Sequence, residues 1–456
     1  MKSSLKLLAF CSLLSTTALS QELSLNMPII QTKYTADPAP MVHNDTLFLY
    51  VGCDEKDAPH NAYLMREYRL YTTTDMVNWT DCGAPLRTSD FKWSAGDASA
   101  AQCIERDGKF YWYISSQNKF SPGSSIGVAV AESPYGPFKD ALGKALVTNN
   151  MTTAAKHSWD DLDPTVFIDS NKQAYLYWGN GVCYQAKLNK DMISLNGPIT
   201  ALDIKDKTAF FGKFTEAPWV YKRNNLYYMI YAAEFPESIH YSTGQTAEGP
   251  WKAEGVVMPL EKGSNTNHPG IIDYKGNSYF FYHNDALPEG HSYCRSVCVE
   301  QFTYNPDGTI PQLHMTDEGI KKGVGTLNPY KRTEAETIAW AQGVVSATDK
   351  ETGVYITSIH NTDYIKVRDV DFGSKGASQF TASASSRYHG GEIELRIDSL
   401  EGDVIGSLKI PYTGEWNNWE QHSTNVKTTK GVHDLYLIFK GRTPHELFNF
   451  DYWMFK

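Results

Sequence analysis

The chain has 456 residues and carries 42 lysines and arginines against 52 aspartates and glutamates, so its formal net charge is −10. A chain this acidic repels phosphate backbones and anionic lipid headgroups, so nucleic acid and membrane surfaces are poor candidate partners. Neutral polymers such as glycans remain as candidate partners. Domains usually hold ~100–200 residues, so the length indicates two domains.

The first twenty residues have the pattern of a secretory signal peptide. Two lysines precede the apolar run 7–14, which is too short to span a bilayer, and Ala18 and Ser20 are the small residues that a signal peptidase requires. We therefore expect cleavage after Ser20 and a mature protein that is secreted or periplasmic, with no membrane span.

Six cysteines remain after that cleavage, and no two of them are spaced as C-x-x-C or lie beside histidines at zinc-ligand spacing. They are Cys53, Cys82, Cys103, Cys183, Cys294 and Cys298. The sequence leaves their pairing in an oxidising compartment open, and we assign these thiols no chemistry.

An internal repeat follows the signal peptide. Each repeat opens with an acidic residue or histidine, then gives a short apolar run, a polar turn and a run of alternating aromatics, which is a β-hairpin signature. The five hairpins span residues 37–52, 97–115, 163–179, 216–232 and 268–283. Second strand pairs lie between them, and four strands in roughly 40–60 residues match one propeller blade. The sequence therefore predicts an all-β, five-bladed β-propeller.

The opening residues of the repeat predict a functional site. The innermost strand of each propeller blade lines a central channel, so Asp37, Asp97, Asp163, Glu216 and His268 are expected to converge on one cavity. A single carboxylate is more often a surface residue. Four at one repeat position are harder to explain that way, because burying unpaired carboxylates is costly.

Converging carboxylates suit acid–base chemistry. Like charges push some pKa values up and leave others low, and glycosidic hydrolysis needs one protonated carboxyl group and one ionised group. The alternative is a metal site, since carboxylate oxygens with a histidine could hold calcium. The sequence has no H-E-x-x-H pattern, which weakens the case for a catalytic transition metal.

Four motifs in order resemble glycoside hydrolase family 43. They are ADPAP at residues 36–40, DLDPTVF at 161–167, TEAPW at 215–219 and NHPG at 267–270. The resemblance covers about residues 28–325 and implies a five-bladed propeller acting on arabinose- and xylose-containing polymers without a cofactor for its chemistry. It also implies that Asp37 is the general base, that Glu216 is the general acid, and that Asp163 orients the acid and raises its pKa.

The same resemblance suggests further roles around the catalytic carboxylates. His268 matches a histidine that lies near a metal ion in many members, so structural calcium in the channel is an expectation; a hydrogen-bonded core histidine is the alternative. Asp97 and Trp93 are expected to contact sugar hydroxyls. Arg295 is expected to do the same, although a structural ion pair is the commoner role for one arginine.

The C-terminal part predicts a second all-β domain. Residues 326–332 have the composition of a linker between a propeller domain at 21–325 and a domain at 333–456. The latter shows short alternating strands typical of a β-sandwich of the jelly-roll kind. Its motifs TEAE at 333–336, TGEWNNWEQHST at 413–424 and FNFDYWMF at 448–455 resemble carbohydrate-binding module family 6.

That second resemblance implies two kinds of site. In the family, two aromatic rings clamp a sugar beside an asparagine, and the matching residues are Tyr355, Trp416 and Asn449. Trp419 is expected in the core instead. Residues that match a structural calcium site are Glu334, Glu336 and Asp451.

The expected function is that of a secreted, inverting α-L-arabinofuranosidase that debranches arabinoxylan, with plant cell-wall polysaccharide as its partner. It is expected to act as a monomer. A β-D-xylosidase or an arabinanase on the same scaffold remains open. So do a non-catalytic glycan-binding propeller and a calcium-stabilised structural protein.

Overall fold

A computed structural model describes residues 26–59, 62–442 and 444–456, and the predicted signal peptide lies outside these ranges. The described chain is built from β-strands. Its helices within those ranges are two single 3₁₀ turns, Thr88–Asp90 and Asn149–Met151. In the same ranges no helix is long and apolar enough to cross a membrane. The six cysteines that follow the predicted signal peptide are all free thiols.

The first part of the chain forms five antiparallel sheets in succession. Sheet one contains β1 (Thr35–His43), β2 (Thr46–Asp54), β3 (Met65–Thr73), β4 (Trp79–Asp81) and β5 (Leu86–Arg87). Sheet two contains β6 (Ser94–Arg106), β7 (Lys109–Asn118), β8 (Ser124–Ala131), β9 (Lys139–Asp140) and β10 (Val147–Thr148). Sheet three contains β11 (Thr165–Ile168), β12 (Ala174–Trp178), β13 (Tyr184–Leu188) and β14 (Thr200–Ala201). Sheet four contains β15 (Phe214–Arg223), β16 (Leu226–Ala233), β17 (Ser238–Gly244) and β18 (Trp251–Met258), and sheet five contains β19 (Gly270–Tyr274), β20 (Asn277–Asn284) and β21 (Ser296–Phe302).

The first strands of the five sheets contact one another in a ring. Strand β1 packs on β6 and β19, and β6 packs on β11, which packs on β15. The indole Nε1 of Trp219 in β15 donates to the Ile271 carbonyl in β19 over 3.2 Å, which closes the ring. Cavities of about 570 and 500 Å3 lie at the two ends of these strands. The space enclosed by this ring of strands, here called the channel, therefore has an opening at each end.

The N-terminal segment holds the last sheet against the first. The backbone N–H groups of Ile29 and Thr35 donate to the carbonyls of Val297 and Arg295, each over 2.9 Å. Residues 29–35 thus run along β21 of sheet five before the chain enters β1 of sheet one. Local hairpins cannot supply such a contact, because it joins residues more than 250 positions apart in the chain.

The remaining strands, apart from β23, form two stacked sheets around a separate apolar core. In chain order they are β22 (Thr333–Glu334), β23 (Thr337–Ile338), β24 (Trp340–Gln342), β25 (Val345–Asp349), β26 (Gly353–Thr357), β27 (Tyr364–Asp371), β28 (Ala377–Ser385), β29 (Gly391–Ile397), β30 (Val404–Ile410), β31 (Glu420–Thr429), β32 (Val432–Lys440) and β33 (Asn449–Phe455). One sheet has the order β25-β26-β33-β28-β31 and the other β24-β27-β32-β29-β30. This is a β-sandwich.

The sandwich is attached to sheet one through backbone pairing. Strand β23 adds to β4, with Thr337 opposite Thr80 and Ile338 opposite Trp79. The segment predicted as a linker is also packed, because Leu327 exchanges backbone hydrogen bonds with β27. The second domain is therefore fixed against the first sheet by a shared hydrogen-bond ladder.

Candidate active site

One end of the channel is a cavity of about 570 Å3 lined by buried polar side chains and an aromatic rim. Its buried and half-buried ionisable and amide lining includes Asp37, Asp163, Asn180, Glu216, Glu237, Asn267, His268, His283 and Arg295, and the exposed Lys213 and Glu234 line it as well. Trp159 and Phe235 on the rim are 53% and 68% exposed, although both are large apolar side chains. Aromatic faces at the mouth of a polar cavity are suited to stacking on the C–H faces of a sugar.

A shared backbone feature aims the catalytic candidates into this cavity. Asp37, Asp163 and Ala217 have φ values of 56°, 57° and 57°, and each directly precedes a proline. The strand pairing shifts register beside Asp37 in β1 and beside Glu216 in β15. Left-handed backbone at non-glycine residues costs about 1–3 kcal/mol each and is typical of functional sites. These bulges turn side chains of the inner strands toward the channel.

Asp37 lies between an arginine and two histidines. Its Oδ1 accepts from Arg295 Nη1 over 3.0 Å, and its backbone N–H donates to His283 Nδ1 over 3.2 Å. His283 Nε2 lies 2.8 Å from the Thr266 carbonyl, so the ring is the neutral Nε2–H tautomer. Burial raises the pKa of Asp37 to about 6, while the charge of Arg295 opposes that rise. Asp37 is therefore ionised above pH ~6 and can act as a base.

Arg295 is held rigidly by a second carboxylate that the repeat pattern did not single out. Its Nε and Nη2 donate to the two oxygens of Asp54 over 2.9 and 2.8 Å, and both residues are buried. The guanidinium also lies over the ring of Tyr63, 4.9 Å from its centroid. This bidentate pair fixes the Nη1 atom that contacts Asp37. Arg295 thus lies in the predicted cavity as a structural ion pair as well as a partner of Asp37.

Asp163 and Glu216 are linked through the backbone. The carboxylate of Asp163 accepts from the N–H of Ala217, the residue that follows Glu216, over 3.2 Å. Burial, followed by the negative charges of Glu216 and Asp37, raises the pKa of Asp163 well above its usual range. Burial likewise raises the pKa of Glu216, which accepts a hydrogen bond from the side-chain amide of Asn180. Protonated forms are therefore favoured here, as a general acid requires.

His268 lies in the cavity beside two of the catalytic candidates. Its Nδ1 is 4.0 Å from Asp37 Oδ1 and 3.9 Å from Asp163 Oδ2. Burial, with the charge of Arg295, lowers the pKa of His268 to about 3, so the imidazole is neutral. Within the described ranges no group of three or more histidine, cysteine, aspartate or glutamate side chains is placed to hold a metal.

Two predicted sugar contacts lie outside the cavity lining. Trp93 is 2% exposed and packs in the core against Phe91. Asp97 is half-buried, and the cavity wall in its sheet is formed by the next residues, 98–100. Gly96 has a φ of 103°, and the β6–β7 pairing shifts register on both sides of Ala98. The repeat position is displaced there, so the prediction for these two residues is not supported.

Sequence reasoning missed Asn180, Glu237, Asp54 and His283. Asn180 lies in the turn after β12 and Glu237 in the turn before β17, so neither occupies the repeat position at the start of an inner strand. Their approach to Glu216 depends on how neighbouring sheets pack. A local signal exists for Asn180 alone, since a GNG triplet at 179–181 marks a tight turn directly after an aromatic strand.

The predicted ligand residues of the second domain are split between two places. Asn449 is buried, donates to the Trp416 carbonyl over 2.9 Å, and accepts from Thr357. Trp416 is half-exposed and meets the exposed Tyr388 edge to face. Tyr355 instead packs against Trp419, with ring centroids 5.4 Å apart. Trp419 is thus a partly exposed partner of Tyr355, and the prediction that it lies in the core is wrong.

The predicted calcium residues of that domain surround an arginine. Arg332 donates to both oxygens of Glu334 over 2.9 and 2.8 Å and to Asp451 over 3.2 Å. Glu336 is buried nearby, and this burial raises its pKa to about 9. The guanidinium supplies the positive charge at this cluster, so the described arrangement does not fit the calcium ion that the sequence suggested.

Comparisons with known proteins agree with this division of the chain. The family described as Glycosyl hydrolases family 43 matches residues 25–310, and Carbohydrate binding module (family 6) matches residues 334–456. An arabinoxylan arabinofuranohydrolase of Paenibacillus polymyxa is 32% identical over 94% of this chain and 74% of its own length.

A similar solved structure is a family 43 arabinoxylan arabinofuranohydrolase from Bacillus subtilis in complex with cellotetraose. It shares 30% identity and a TM-score of 0.82 with this chain, covering 94% of this chain and 97% of its own. A xylosidase/arabinosidase of Bacteroides ovatus is 29% identical over 64% of this chain and 98% of its own length. The similarity thus extends over both domains.

Proposed function

The chain belongs to glycosyl hydrolases family 43, and we propose that it is a secreted, inverting α-L-arabinofuranosidase that removes arabinofuranosyl side chains from arabinoxylan. The family assignment makes it a glycoside hydrolase. The substrate is supported by two relatives named arabinoxylan arabinofuranohydrolases, each at least 30% identical over 94% of the chain. Secretion is supported by the signal-peptide pattern of residues 1–20.

One observation carries the catalytic proposal. Asp37, Asp163 and Glu216 are brought to one cavity from three different sheets. Burial raises the pKa of all three carboxyl groups, and Asp37 accepts a hydrogen bond directly from Arg295, which favours its charged form. Two carboxyl groups in opposed protonation states are the requirement for hydrolysis of a glycosidic bond.

In the proposed reaction, Asp37 accepts a proton from a water molecule whose oxygen forms the new bond to the anomeric carbon. The bond between that carbon and the glycosidic oxygen breaks as Glu216 gives its proton to the departing oxygen. Asp163 holds the backbone beside Glu216 and keeps its carboxyl group directed into the cavity. Attack by water on the face opposite the leaving group inverts the configuration of the sugar.

The architecture supports a polymeric substrate. We propose that the five sheets are the blades of a propeller, since their first strands contact in a ring around one channel. The β-sandwich would hold the polysaccharide near the cavity and so raise the local concentration of side chains to be cleaved. The enzyme is proposed to do this as a monomer.

A second candidate, a β-D-xylosidase, is supported by the similarity to a protein named xylosidase/arabinosidase. The discriminating experiment incubates the wild-type enzyme with wheat arabinoxylan and, separately, with linear xylo-oligosaccharides. Arabinose from the polymer, with no xylose from the oligosaccharides, is the expected result. Xylose from the oligosaccharides without arabinose from the polymer would replace the proposal by the xylosidase. No sugar from either would contradict both.

A further inference from the structure

Glu237 is a buried carboxyl group in the cavity with no role in the reaction described so far. It lies in the turn between β16 and β17 and is 1% exposed. Its Oε2 accepts from the Asn267 N–H over 2.8 Å, and its own N–H donates to the Asn265 carbonyl. Its Oε1 is also buried, and no N–H or hydroxyl donor reaches that oxygen from the described parts of the chain.

The neighbour of this carboxyl group is the proposed acid. The carboxyl groups of Glu237 and Glu216 line the same cavity wall, close enough for one to act on the other through a shared proton. Two carboxylates only accept hydrogen bonds, so such a contact requires a proton on one of them. The orphaned oxygen of Glu237 is explained if the missing donor is a carboxylic O–H within this pair.

The surrounding charges decide which form Glu237 takes. Glu216 on β15, Asp163 before β11 and Asp37 on β1 all oppose ionisation of Glu237. The buried cation of the cavity, Arg295, is paired with Asp37 and Asp54, and the other cation that lines the cavity, Lys213, is exposed to solvent. Burial, followed by these negative charges, raises the pKa of Glu237 well above its usual range. The Asn267 N–H donates to Oε2 of Glu237, so Oε1 is the oxygen left to carry a proton toward Glu216.

We infer that Glu237 is a positioning residue for the proposed acid: it stays a neutral carboxylic acid and donates its O–H to the carboxyl group of Glu216. This inference rests on the proposed function, in which Glu216 is the acid. Glu237 touches neither sugar nor water in this role and acts through Glu216.

The contribution of Glu237 grows during the reaction. As the glycosidic C–O bond breaks, the proton of Glu216 moves to the leaving oxygen and Glu216 becomes a carboxylate, while Glu237 keeps its own proton. Its hydrogen bond then has a charged acceptor and is stronger than before. The interaction therefore favours the transition state of acid-assisted cleavage over the ground state. It matters most when the leaving group needs a proton.

The test compares Glu237→Met and Glu237→Gln with the wild type on two substrates. Arabinoxylan oligosaccharides have a sugar alcohol as leaving group, whereas 4-nitrophenyl α-L-arabinofuranoside releases a phenolate that needs little protonation. We expect Glu237→Met to lose ~10- to 100-fold in kcat/KM on the oligosaccharides, as for one hydrogen bond to a charged group. The aryl glycoside should lose under ~3-fold, since protonation contributes little there.

Glu237→Gln is the conservative variant, because its amide can donate to Glu216 and its carbonyl can accept from Asn267. It should keep both activities, and the basic limb of its kcat/KM profile should stay in place. A basic limb displaced by a unit or more to lower pH would overturn the inference, because it would mean that Glu237 is normally charged. This readout carries the test if Glu237→Met does not fold.

Two further variants separate this inference from the proposed function. Glu216→Ala should show the same contrast between substrates, and an equal loss on both would overturn Glu216 as the acid. Suppose that Glu216→Ala loses more activity on the oligosaccharides than on the aryl glycoside, whereas Glu237→Met loses equally on both. That result would overturn the hydrogen bond from Glu237 to Glu216 and leave Glu216 as the acid. Glu248→Met, an exposed position in the turn after β17, is the matched control and should leave both activities unchanged.

Discussion

Arg295 sets the charge of the base at the scale of single residues. Its guanidinium is the cation that opposes the burial-driven rise in the pKa of Asp37, which lies at about 6. Since the base works as a carboxylate, kcat/KM should fall as the pH drops below ~6. Without this cation the pKa of Asp37 would be higher, so the carboxylate would take up its proton at a higher pH.

Arg295→Gln should therefore move the acid limb of the kcat/KM profile to higher pH by about one unit or more. Arg295→Lys keeps a positive charge beside Asp37 and should move the limb less. The measurement is the pH dependence of kcat/KM for both variants and the wild type. An acid limb that does not move in Arg295→Gln would show that another group controls it.

At the scale of elements, the junction between β4 and β23 depends on a buried ion pair. Arg69 Nη2 donates to both oxygens of Asp81 over 2.9 and 2.8 Å, and each side chain is at most 4% exposed. Asp81 also accepts from Ser346 of the sandwich over 2.8 Å. The pair thus supports β3 and β4 and the attachment of the second domain.

Asp81→Ala should lower the free energy of unfolding by about 3 kcal/mol, because the buried charge of Arg69 loses its two-oxygen partner and keeps only a single contact with the partly exposed Glu67. Asp45→Ala is the control, since Asp45 pairs with Lys275 at the surface and is 82% exposed. The free energy of unfolding should fall by no more than about 1 kcal/mol in Asp45→Ala. Urea unfolding measures both, and equal losses would contradict this account of the junction.

The elements that sequence could predict are those with local causes. Hairpin pairing follows from alternating residues around polar turns, so the starts of β1, β11, β15 and β19 were expected beside their acidic or histidine residues. Sheet two differs because Gly96 and two register shifts displace Asp97 from the cavity. Glu237 carries no local pattern, because its place beside Glu216 arises from the packing of a turn.

At the scale of the whole molecule, the sandwich offers an aromatic surface of its own. Its half-exposed Trp416 and exposed Tyr388 form an aromatic corner beside the buried Asn449. Trp416→Ala should slow arabinose release from insoluble arabinoxylan by weakening attachment, and leave soluble oligosaccharides unaffected. Tyr135→Ala, which removes an exposed ring in the turn between β8 and β9, is the control. An equal loss on both substrates would instead indicate damage to the catalytic domain.

Domain identity could be read from ordered motifs, whereas the fixed attachment of the two domains could not. The segment 326–332 has the composition of a flexible linker, yet Leu327 pairs with β27 and β23 extends sheet one. Such pairing depends on an unpaired strand edge in the other domain. The grouping of the predicted ligand residues of the sandwich likewise depends on packing, since Tyr355 contacts Trp419 rather than Trp416.

The most direct test of the central claim is arabinose release from wheat arabinoxylan by the wild type and by Glu216→Ala. Loss of a general acid typically costs ~10²- to 10⁴-fold, so the variant should release almost no arabinose while its thermal unfolding stays close to that of the wild type. Glu248→Ala, the same substitution at an exposed position, should retain full release. Arabinose release that survives the loss of Glu216 would contradict the assignment of this cavity as the catalytic site.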